Sequence, residues 1–152
     1  MLADIKIKDI MSREVLTIGP GRTIMAAAKL MLEERVSGLP VVESGGELLG
    51  IITETDIFKV LVDLSGISSG KTAFAFDLED VPGSVKQAAD CIRAHGGRVE
   101  SILTSHALAK LGFRRVYIRA RGLAPEKLPA LEQELRERFD FIYMIEDGVD
   151  IS

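Results

Sequence analysis

The sequence Gly50-Ile51-Ile52-Thr53-Glu54-Thr55-Asp56 marks the point where an apolar strand ends and a helix begins. A short apolar run before the junction predicts a buried strand, at Leu48, Leu49, Ile51 and Ile52. After Asp56 the apolar residues recur at helical spacing, at Ile57, Val60, Leu61 and Leu64. The junction therefore predicts a strand followed directly by an amphipathic helix.

A hydroxyl and a carboxylate stand three residues apart at this junction, as Thr53 and Asp56. Thr53 is a natural N-cap, since its side-chain oxygen can accept from amides of the first helical turn. A hydroxyl at the positive end of a helix also suits a phosphate, and a nearby carboxylate can accept from a ribose diol. Both interpretations, a cap with a dipole-complementing acid or a nucleotide site, remain open at this point.

Several segments precede the junction in a characteristic order. They are Asp9-Ile10-Met11, Val15 to Pro20, a helix from Thr23, and Ser37-Gly38-Leu39-Pro40-Val41-Val42. The run from about Ile5 to Leu64 resembles one cystathionine-β-synthase (CBS) motif, whose elements are β-α-β-β-α. Two such motifs commonly pair in that family and bind adenosine-containing ligands in the clefts between them. The resemblance implies that Thr53 meets phosphate or ribose oxygens and Asp56 the ribose hydroxyls. It also implies that an adenine pocket is edged by Thr17 and the backbone of Gly38, Leu39 and Pro40.

Composition limits the classes of function. The chain has 152 residues, 47 % hydrophobic and 28 % charged, which predicts a globular protein. No apolar run approaches the roughly 20 residues that span a bilayer, and the N-terminus lacks a signal-peptide pattern. The single cysteine, Cys91, excludes an internal disulfide and a cysteine-based metal cage. We therefore expect a cytoplasmic protein without membrane partners, and a net charge of −4 disfavours nucleic acid as a partner.

No catalytic or metal-binding set is predicted. Candidate nucleophiles have no base at readable spacing, so we expect no enzymatic activity and no catalytic residue. Neither His95 nor His106 shows a partner at metal-ligand spacing, so we expect no metal.

A small polar segment, residues 66–71, predicts a linker between two domains. Gly66 to Thr72 is close to a phosphate-binding P-loop, but it has three residues between its glycines where that loop needs four. A P-loop must also open a helix, whereas the alternating residues after Lys71 predict a strand. We therefore interpret the likeness as accidental.

The second half of the chain predicts the order βαββαβ. Strands are expected at Thr72–Leu78, Arg98–Ser105, near Phe113–Arg121 and at about Phe139–Ile145. Helical spacing predicts one helix from 85 to 92, with Ser84 as its N-cap, and a second introduced by Pro125. The fold class is thus α+β, with a CBS motif at 1–65, a linker at 66–71, a ferredoxin-like domain at 72–147 and a tail at 148–152.

The turn Asp80-Val81-Pro82-Gly83-Ser84 lies between the first strand and first helix of this half. With that turn the half resembles an ACT domain, a regulatory family in which this loop and helix start often bind an amino acid. Free amides of Gly83, Ser84 and Val85 could receive a carboxylate, and the implied site comprises Asp80, Gly83, Ser84 and Val85. The alternative is an ACT-like domain with a purely structural role.

A CBS motif followed by an ACT-like domain resembles the bacterial acetoin-utilisation accessory proteins, which usually carry two CBS motifs. A lone motif has half a ligand cleft, so we expect a homodimer or higher even oligomer formed by pairing in trans. Apolar helix positions predict the surface for this pairing, at Ala26, Ala27, Met31, Ile57, Val60, Leu61 and Leu64.

These expectations favour a ligand-sensing regulatory protein, with a ligand-free oligomerisation module as the alternative. The charge of Glu54 beside the site favours AMP or another adenosine compound of low charge over ATP.

Overall fold

The computed structural model describes residues 4–146, and the predicted tail at 148–152 lies outside them. The chain forms two compact units, Met1–Val60 and Leu61–Ser152, and the division falls within a helix. The described residues include no helix with the length and apolar character needed to cross a membrane.

The first unit contains short helices and a two-stranded antiparallel sheet. Helix α1 covers Ile7–Ile10 and α2 covers Ile24–Glu34, followed by strands β1 (Gly38–Val42) and β2 (Leu48–Thr53) and helix α3 (Glu54–Ser65). Helix α2 begins where the sequence predicts, because the Thr23 hydroxyl accepts from the amide of Ala26 at 3.2 Å. The strand-to-helix junction after Thr53 is confirmed.

The first strand of the predicted β-α-β-β-α order is reduced to a single bridge, which corrects the prediction. Ile18 pairs in parallel with Val41: its amide donates to the oxygen of Pro40 at 3.0 Å and its carbonyl accepts from Val42 at 2.9 Å. Toward the N-terminus, the neighbouring bond of a parallel ladder would be donated by the amide of residue 40 to the carbonyl of residue 16. Proline has no amide hydrogen, so the ladder stops there.

The core of the first unit is small, and β2 contributes little to it. The buried residues are Ala27, Met31, Leu39 and Ile57. The prediction of a buried strand is wrong for most of β2, because Leu48 and Ile51 are 67 % and 65 % exposed and Leu49 is also exposed. The predicted pairing surface is wrong for Ala27, Met31 and Ile57, since α2 and α3 use these residues inside their own unit.

The second unit is a four-stranded antiparallel sheet with two helices. Its elements are β3 (Thr72–Glu79), α4 (Ser84–Ala94), β4 (Arg98–Ser105), β5 (Phe113–Arg121), α5 (Leu128–Arg138) and β6 (Asp140–Glu146), with a 3₁₀ turn at Pro125–Lys127 before α5. The strand order across the sheet is β4-β5-β3-β6. The predicted strands and helices of this half are therefore present, within a few residues of the expected bounds.

One continuous core joins the sheet to both helices. Alternate residues of β3 and β5, among them Phe74, Phe76 and Ile118, are buried with residues of α4 and α5 such as Ile92 and Leu135. Because these strand residues share one face, both helices pack against the same side of the sheet. On the opposite face, β3 is also buried at Ala73 and Ala75, and toward the end of the strand Arg115 binds both oxygens of Asp77 at 2.8 Å.

The segment 66–71 packs within the second unit. Gly66 is buried with a positive φ of 69°, and a side chain there would meet Glu100 and Ser101 of β4. The Ser101 hydroxyl donates to the carbonyl of Ser65 at 2.5 Å. Residue 72 then begins β3, so a strand follows Lys71 where a P-loop would require a helix.

Candidate ligand sites

The start of α3 is closed by a reciprocal pair of side chains. The Thr53 hydroxyl accepts from the Asp56 amide at 3.4 Å and donates to Asp56 Oδ2 at 2.6 Å, while the Thr53 amide donates to the same Oδ2 at 3.0 Å. This is a capping box with aspartate in the third helical position, so the prediction that Thr53 caps the helix is confirmed. The pair holds a hydroxyl and a carboxylate side by side at the positive end of the helix.

The same contacts set the charge of Asp56. Hydrogen bonds from the Thr53 hydroxyl and amide lower the pKa of its carboxyl group, and Lys59, 3.7 Å away, acts in the same direction. Asp56 is therefore an anion at neutral pH, and its side chain is 44 % exposed. Such a carboxylate can accept hydrogen bonds from a ligand through the oxygen that Thr53 does not use.

The other residues predicted for this site lie on β1 or next to the segment that pairs with it. Gly38 lies opposite Thr53 in the register of β1 and β2, and the Leu39 side chain is buried, so that residue offers only its backbone. Thr17 precedes Ile18, whose amide binds the carbonyl of Pro40. Thr17 also lines a groove of about 420 Å³ beside α2, and Thr53 and Asp56 are not among the residues lining that groove. The structure thus connects the predicted residues through the sheet, and Thr17 is the one among them that lines the groove beside α2.

Comparison with known proteins identifies this unit. Residues 7–63 match the CBS domain family. Residues 7–63 are a CBS domain. The matched region includes the junction at Thr53 and Asp56 and the strands beside it, so the geometry above belongs to a CBS domain.

The relatives that share the CBS domain are mostly longer proteins. An uncharacterised protein of Methanocaldococcus jannaschii is 42 % identical over 57 residues, which are 38 % of this chain and 34 % of the relative. The inosine-5'-monophosphate dehydrogenase of Korarchaeum cryptofilum is 42 % identical over 52 residues, 34 % of this chain and 11 % of the enzyme. A CBS domain-containing protein of Bacillus subtilis is 45 % identical over 51 residues, 34 % of this chain and 36 % of that protein. The chain spans about a third or less of the length of these relatives. CBS domains are regulatory, ligand-sensing modules in general and also occur inside enzymes.

The predicted amino-acid site lies at the start of α4, and its geometry differs from the expectation. Gly83 is the residue that precedes the helix, with a left-handed φ of 93°, and Ser84 is the first helical residue, so the prediction of Ser84 as N-cap is wrong. Only glycine adopts this conformation without strain, which fixes where the helix begins. The Ser84 amide donates to the carbonyl of Val81 at 3.3 Å, so it is not free to receive a carboxylate.

The side chains of this site point in different directions. Asp80 binds Arg114 and His106, whose Nε2 lies 3.1 Å from the Asp80 carboxylate. The hydrogen bond from Arg114 is the main cause that lowers the pKa of this carboxyl group, and the bond from His106 acts in the same direction. Val85 packs against the core. The Ser84 hydroxyl oxygen is buried and, among the described residues, has no hydrogen-bond partner.

Ser84 lines a cavity of about 470 Å³ at one end of the sheet. Its other walls come from the ends of β3 and α5, the starts of β5 and β6, and the loops beside them. The charged residues of the wall are Asp77, Glu79, Lys110, Arg138 and Asp140. A buried hydroxyl without a partner and charges of both signs would suit a small zwitterionic ligand.

Sequence reasoning missed a cluster of potential metal ligands between α4 and α5. Ligand atoms of Cys91, His95 and Glu134 all lie within 4.8 Å of one another. The statement that His95 has no partner at metal-ligand spacing is wrong, because Cys91 stands four residues before it on the same helix face. The signal was therefore present as Cys-x-x-x-His, whereas Glu134 comes from another helix and could be placed only by the fold. Burial, together with a smaller effect of the hydrogen bond to Glu134, raises the pKa of the Cys91 thiol to about 11.

Proposed function

We propose that this protein is a non-catalytic regulatory sensor, found in the cytoplasm, whose CBS domain binds an adenosine-containing ligand. The observation that carries the proposal is the Thr53–Asp56 pair, in which a hydroxyl and an ionised carboxylate stand at the amino end of α3. The carboxylate would accept from the ribose hydroxyls, and the hydroxyl and helix end would face a phosphate. Thr17 and the backbone of Gly38, Leu39 and Pro40 would edge the adenine.

The proposal favours AMP or a similar compound of low charge. Glu54 is exposed in the first turn of α3, directly beside the proposed phosphate position. Its charge opposes the additional phosphates of ATP by Coulomb repulsion. Replacement of Glu54 by glutamine should therefore improve ATP binding more than AMP binding.

Pairing of two CBS domains in trans completes the proposed ligand cleft. The exposed apolar residues of the unit support this step, since Leu48, Leu49 and Ile51 of β2 are all exposed. Met25, Leu32 and Phe58 are also exposed. Monomeric proteins rarely leave this much apolar surface in water, so a second copy of this chain is the proposed partner.

The decisive experiment is thermal unfolding in the presence of AMP, ADP, ATP and S-adenosylmethionine. A ligand at a hundredfold excess over its Kd stabilises the native protein by about 2.7 kcal/mol. We expect AMP to raise the unfolding temperature of the wild type and not that of Asp56→Ala. Asp63→Ala, which removes a carboxylate from the same helix away from the junction, serves as control and should respond like the wild type.

The alternative is an oligomerisation module that binds no ligand. It predicts no stabilisation by any adenosine compound at millimolar concentration, together with an intact oligomer. Oligomeric state is measured by sedimentation velocity: Ile51→Lys should dissociate the oligomer, whereas Leu111→Lys, at a fully exposed loop position of the other unit, should not. A monomeric wild type would contradict both versions.

For the second unit we propose a ferredoxin-like ACT-type domain, at 72–147, that binds a free amino acid beside α4. The element order and the strand order β4-β5-β3-β6 support the fold assignment. With one CBS motif before it, the proposed architecture resembles that of acetoin-utilisation accessory proteins. The unpartnered Ser84 hydroxyl in the cavity supports a ligand at this position. A panel of amino acids in the same unfolding assay tests it: stabilisation that disappears in Ser84→Ala supports a sensor, and no stabilisation supports a purely structural domain.

A further inference from the structure

Three potential metal-binding side chains meet where α4 packs against α5. Cys91 and His95 are one turn apart near the carboxyl end of α4, and Glu134 projects from α5. Their sulfur, nitrogen and oxygen atoms lie within 4.8 Å of one another. Cys91 is only 3 % exposed, and His95 and Glu134 are partly buried, so the cluster lies at the edge of the core.

The orientation of His95 leaves one ring nitrogen available. Its Nδ1 lies 3.1 Å from the backbone oxygen of Cys91. A carbonyl only accepts, so Nδ1 carries the hydrogen and, in the neutral ring, Nε2 has a free lone pair. A backbone carbonyl bound to the second nitrogen is the usual support of a metal-binding histidine.

The Nε2 atom faces a carboxylate oxygen of Glu134 across a short gap. The distance from Nε2 to Oε2 is 3.6 Å, which is too long for a hydrogen bond. Both atoms can donate an electron pair to a cation that binds between them. The second oxygen, Oε1, accepts from Arg138 at 2.5 Å, which holds the carboxylate with Oε2 directed at His95.

The helix end favours positive charge at this position. His95 is the C-cap of α4, where the aligned carbonyl groups of the last turn give the helix its negative pole. The Cys91 sulfur and the Glu134 carboxylate would add two anionic ligands for a dication. Arg138 is the cation that faces the cluster: it binds Oε1 of Glu134 and also interacts with the Cys91 thiol, so a metal ion would take its place beside the sulfur.

We propose that Cys91, His95 and Glu134 bind a divalent transition metal ion, with zinc as the expected occupant. Thiolate, imidazole and carboxylate are the three ligand types that zinc takes in proteins, and a set of three leaves a fourth position for water or another ligand. Tetrahedral zinc requires donor atoms roughly 3.5 Å apart, so small side-chain rotations close the present separations. The thiol gives up its proton to solvent when the metal–sulfur bond forms.

Cobalt provides the test, because a cobalt–thiolate bond produces an intense near-ultraviolet charge-transfer band that imidazole and carboxylate ligands do not. Wild-type protein titrated with Co²⁺ should develop this band with a one-to-one end point, and Zn²⁺ should abolish it in competition. Cys91→Ala should show no band. His95→Asn and Glu134→Gln should bind Co²⁺ at least tenfold more weakly.

Matched controls separate the cluster from general effects of charge. His106→Asn alters the other histidine, and Glu132→Gln alters a carboxylate on α5 that is bound to Arg136. Both should keep the wild-type titration. Thermal unfolding without metal shows whether each variant is folded, and His95→Asn with Glu134→Gln keeps the test valid if Cys91→Ala does not fold. Absence of a charge-transfer band at stoichiometric Co²⁺ in folded wild type, or wild-type affinity in both His95→Asn and Glu134→Gln, overturns the proposal.

Discussion

Replacing Ser84 by alanine should stabilise the second unit, which is an unusual expectation for a buried side chain. The residue is 9 % exposed, and its hydroxyl oxygen has no hydrogen-bond partner within residues 4–146. The described residues therefore give this polar group no hydrogen bond in place of those that it makes with water in the unfolded chain. Alanine differs from serine only in lacking the hydroxyl.

The expected gain follows from the desolvation of that hydroxyl. A buried polar group without a partner costs about 1–3 kcal/mol. The adjacent cavity of about 470 Å³ admits water, which reduces the cost to the lower end of that range. Alanine also has the higher helix propensity, by a few tenths of a kcal/mol. We expect Ser84→Ala to raise the free energy of unfolding by about 1 kcal/mol, or the unfolding temperature by about 4–8 °C for a domain of this size.

Urea denaturation of Ser84→Ala and Ser101→Ala provides a matched comparison. Both variants remove one hydroxyl from the second unit, but that of Ser101 donates to the carbonyl of Ser65 at 2.5 Å. Ser101→Ala should lower the free energy of unfolding by about 1 kcal/mol, a change opposite in sign to that expected for Ser84→Ala. If Ser84→Ala lost as much stability as Ser101→Ala, the hydroxyl would have a partner in the free protein, and the argument for a ligand at that position would fail with it.

Four further outcomes follow from the fold. In urea denaturation, Leu135→Ala, at a fully buried position, should lower the free energy of unfolding by about 2–5 kcal/mol. The free energy of unfolding of Leu111→Ala, at an exposed position, should stay within about 0.5 kcal/mol of the wild-type value. Gly83→Ala should lose about 1 kcal/mol, because residue 83 has a φ of 93°; equal stability would contradict the assigned conformation. The hydrogen bonds from Arg115 lower the pKa of Asp77, so this carboxylate stabilises the folded protein above its unfolded pKa of about 3.9 and ceases to do so as pH falls through its lower folded value. Asp77→Asn should therefore flatten the acid side of the stability profile measured by urea denaturation from pH 7 to pH 2, and an unchanged slope would refute the pairing. In isothermal titration, ATP should bind no more than tenfold tighter than AMP, and a larger preference would refute the role given to Glu54.

The sequence predicts the order of elements well because local signals mark most of their ends. Thr23 and Thr53 cap the helices that follow them, and alternating residues identify β3 and β5. The failure at β2 has a physical origin. An apolar run indicates residues that are typical of a protein interior, but it does not show whether the rest of the unit supplies side chains that cover them.

Other features required the fold itself. The interruption of the ladder at Ile18 could have been inferred from Pro40, but only after the strands were paired in parallel. The Thr53–Asp56 pair was found from its spacing, because both residues belong to one turn. Glu134 stands 39 residues beyond His95, so nothing local connects them before α4 and α5 pack together.

The capping box at Thr53 also bears on how a sensor would respond. The hydroxyl hydrogen is already donated to Asp56, and the carboxylate already accepts twice from Thr53. A ligand that takes the Thr53 hydroxyl, or that replaces Thr53 at Oδ2 of Asp56, competes with an internal partner already bound at the same position. Its net affinity is the difference between two sets of similar bonds, which favours weak binding and rapid release. A site of this kind suits the measurement of an abundant metabolite whose concentration changes continuously, and is poorly suited to the capture of a scarce one.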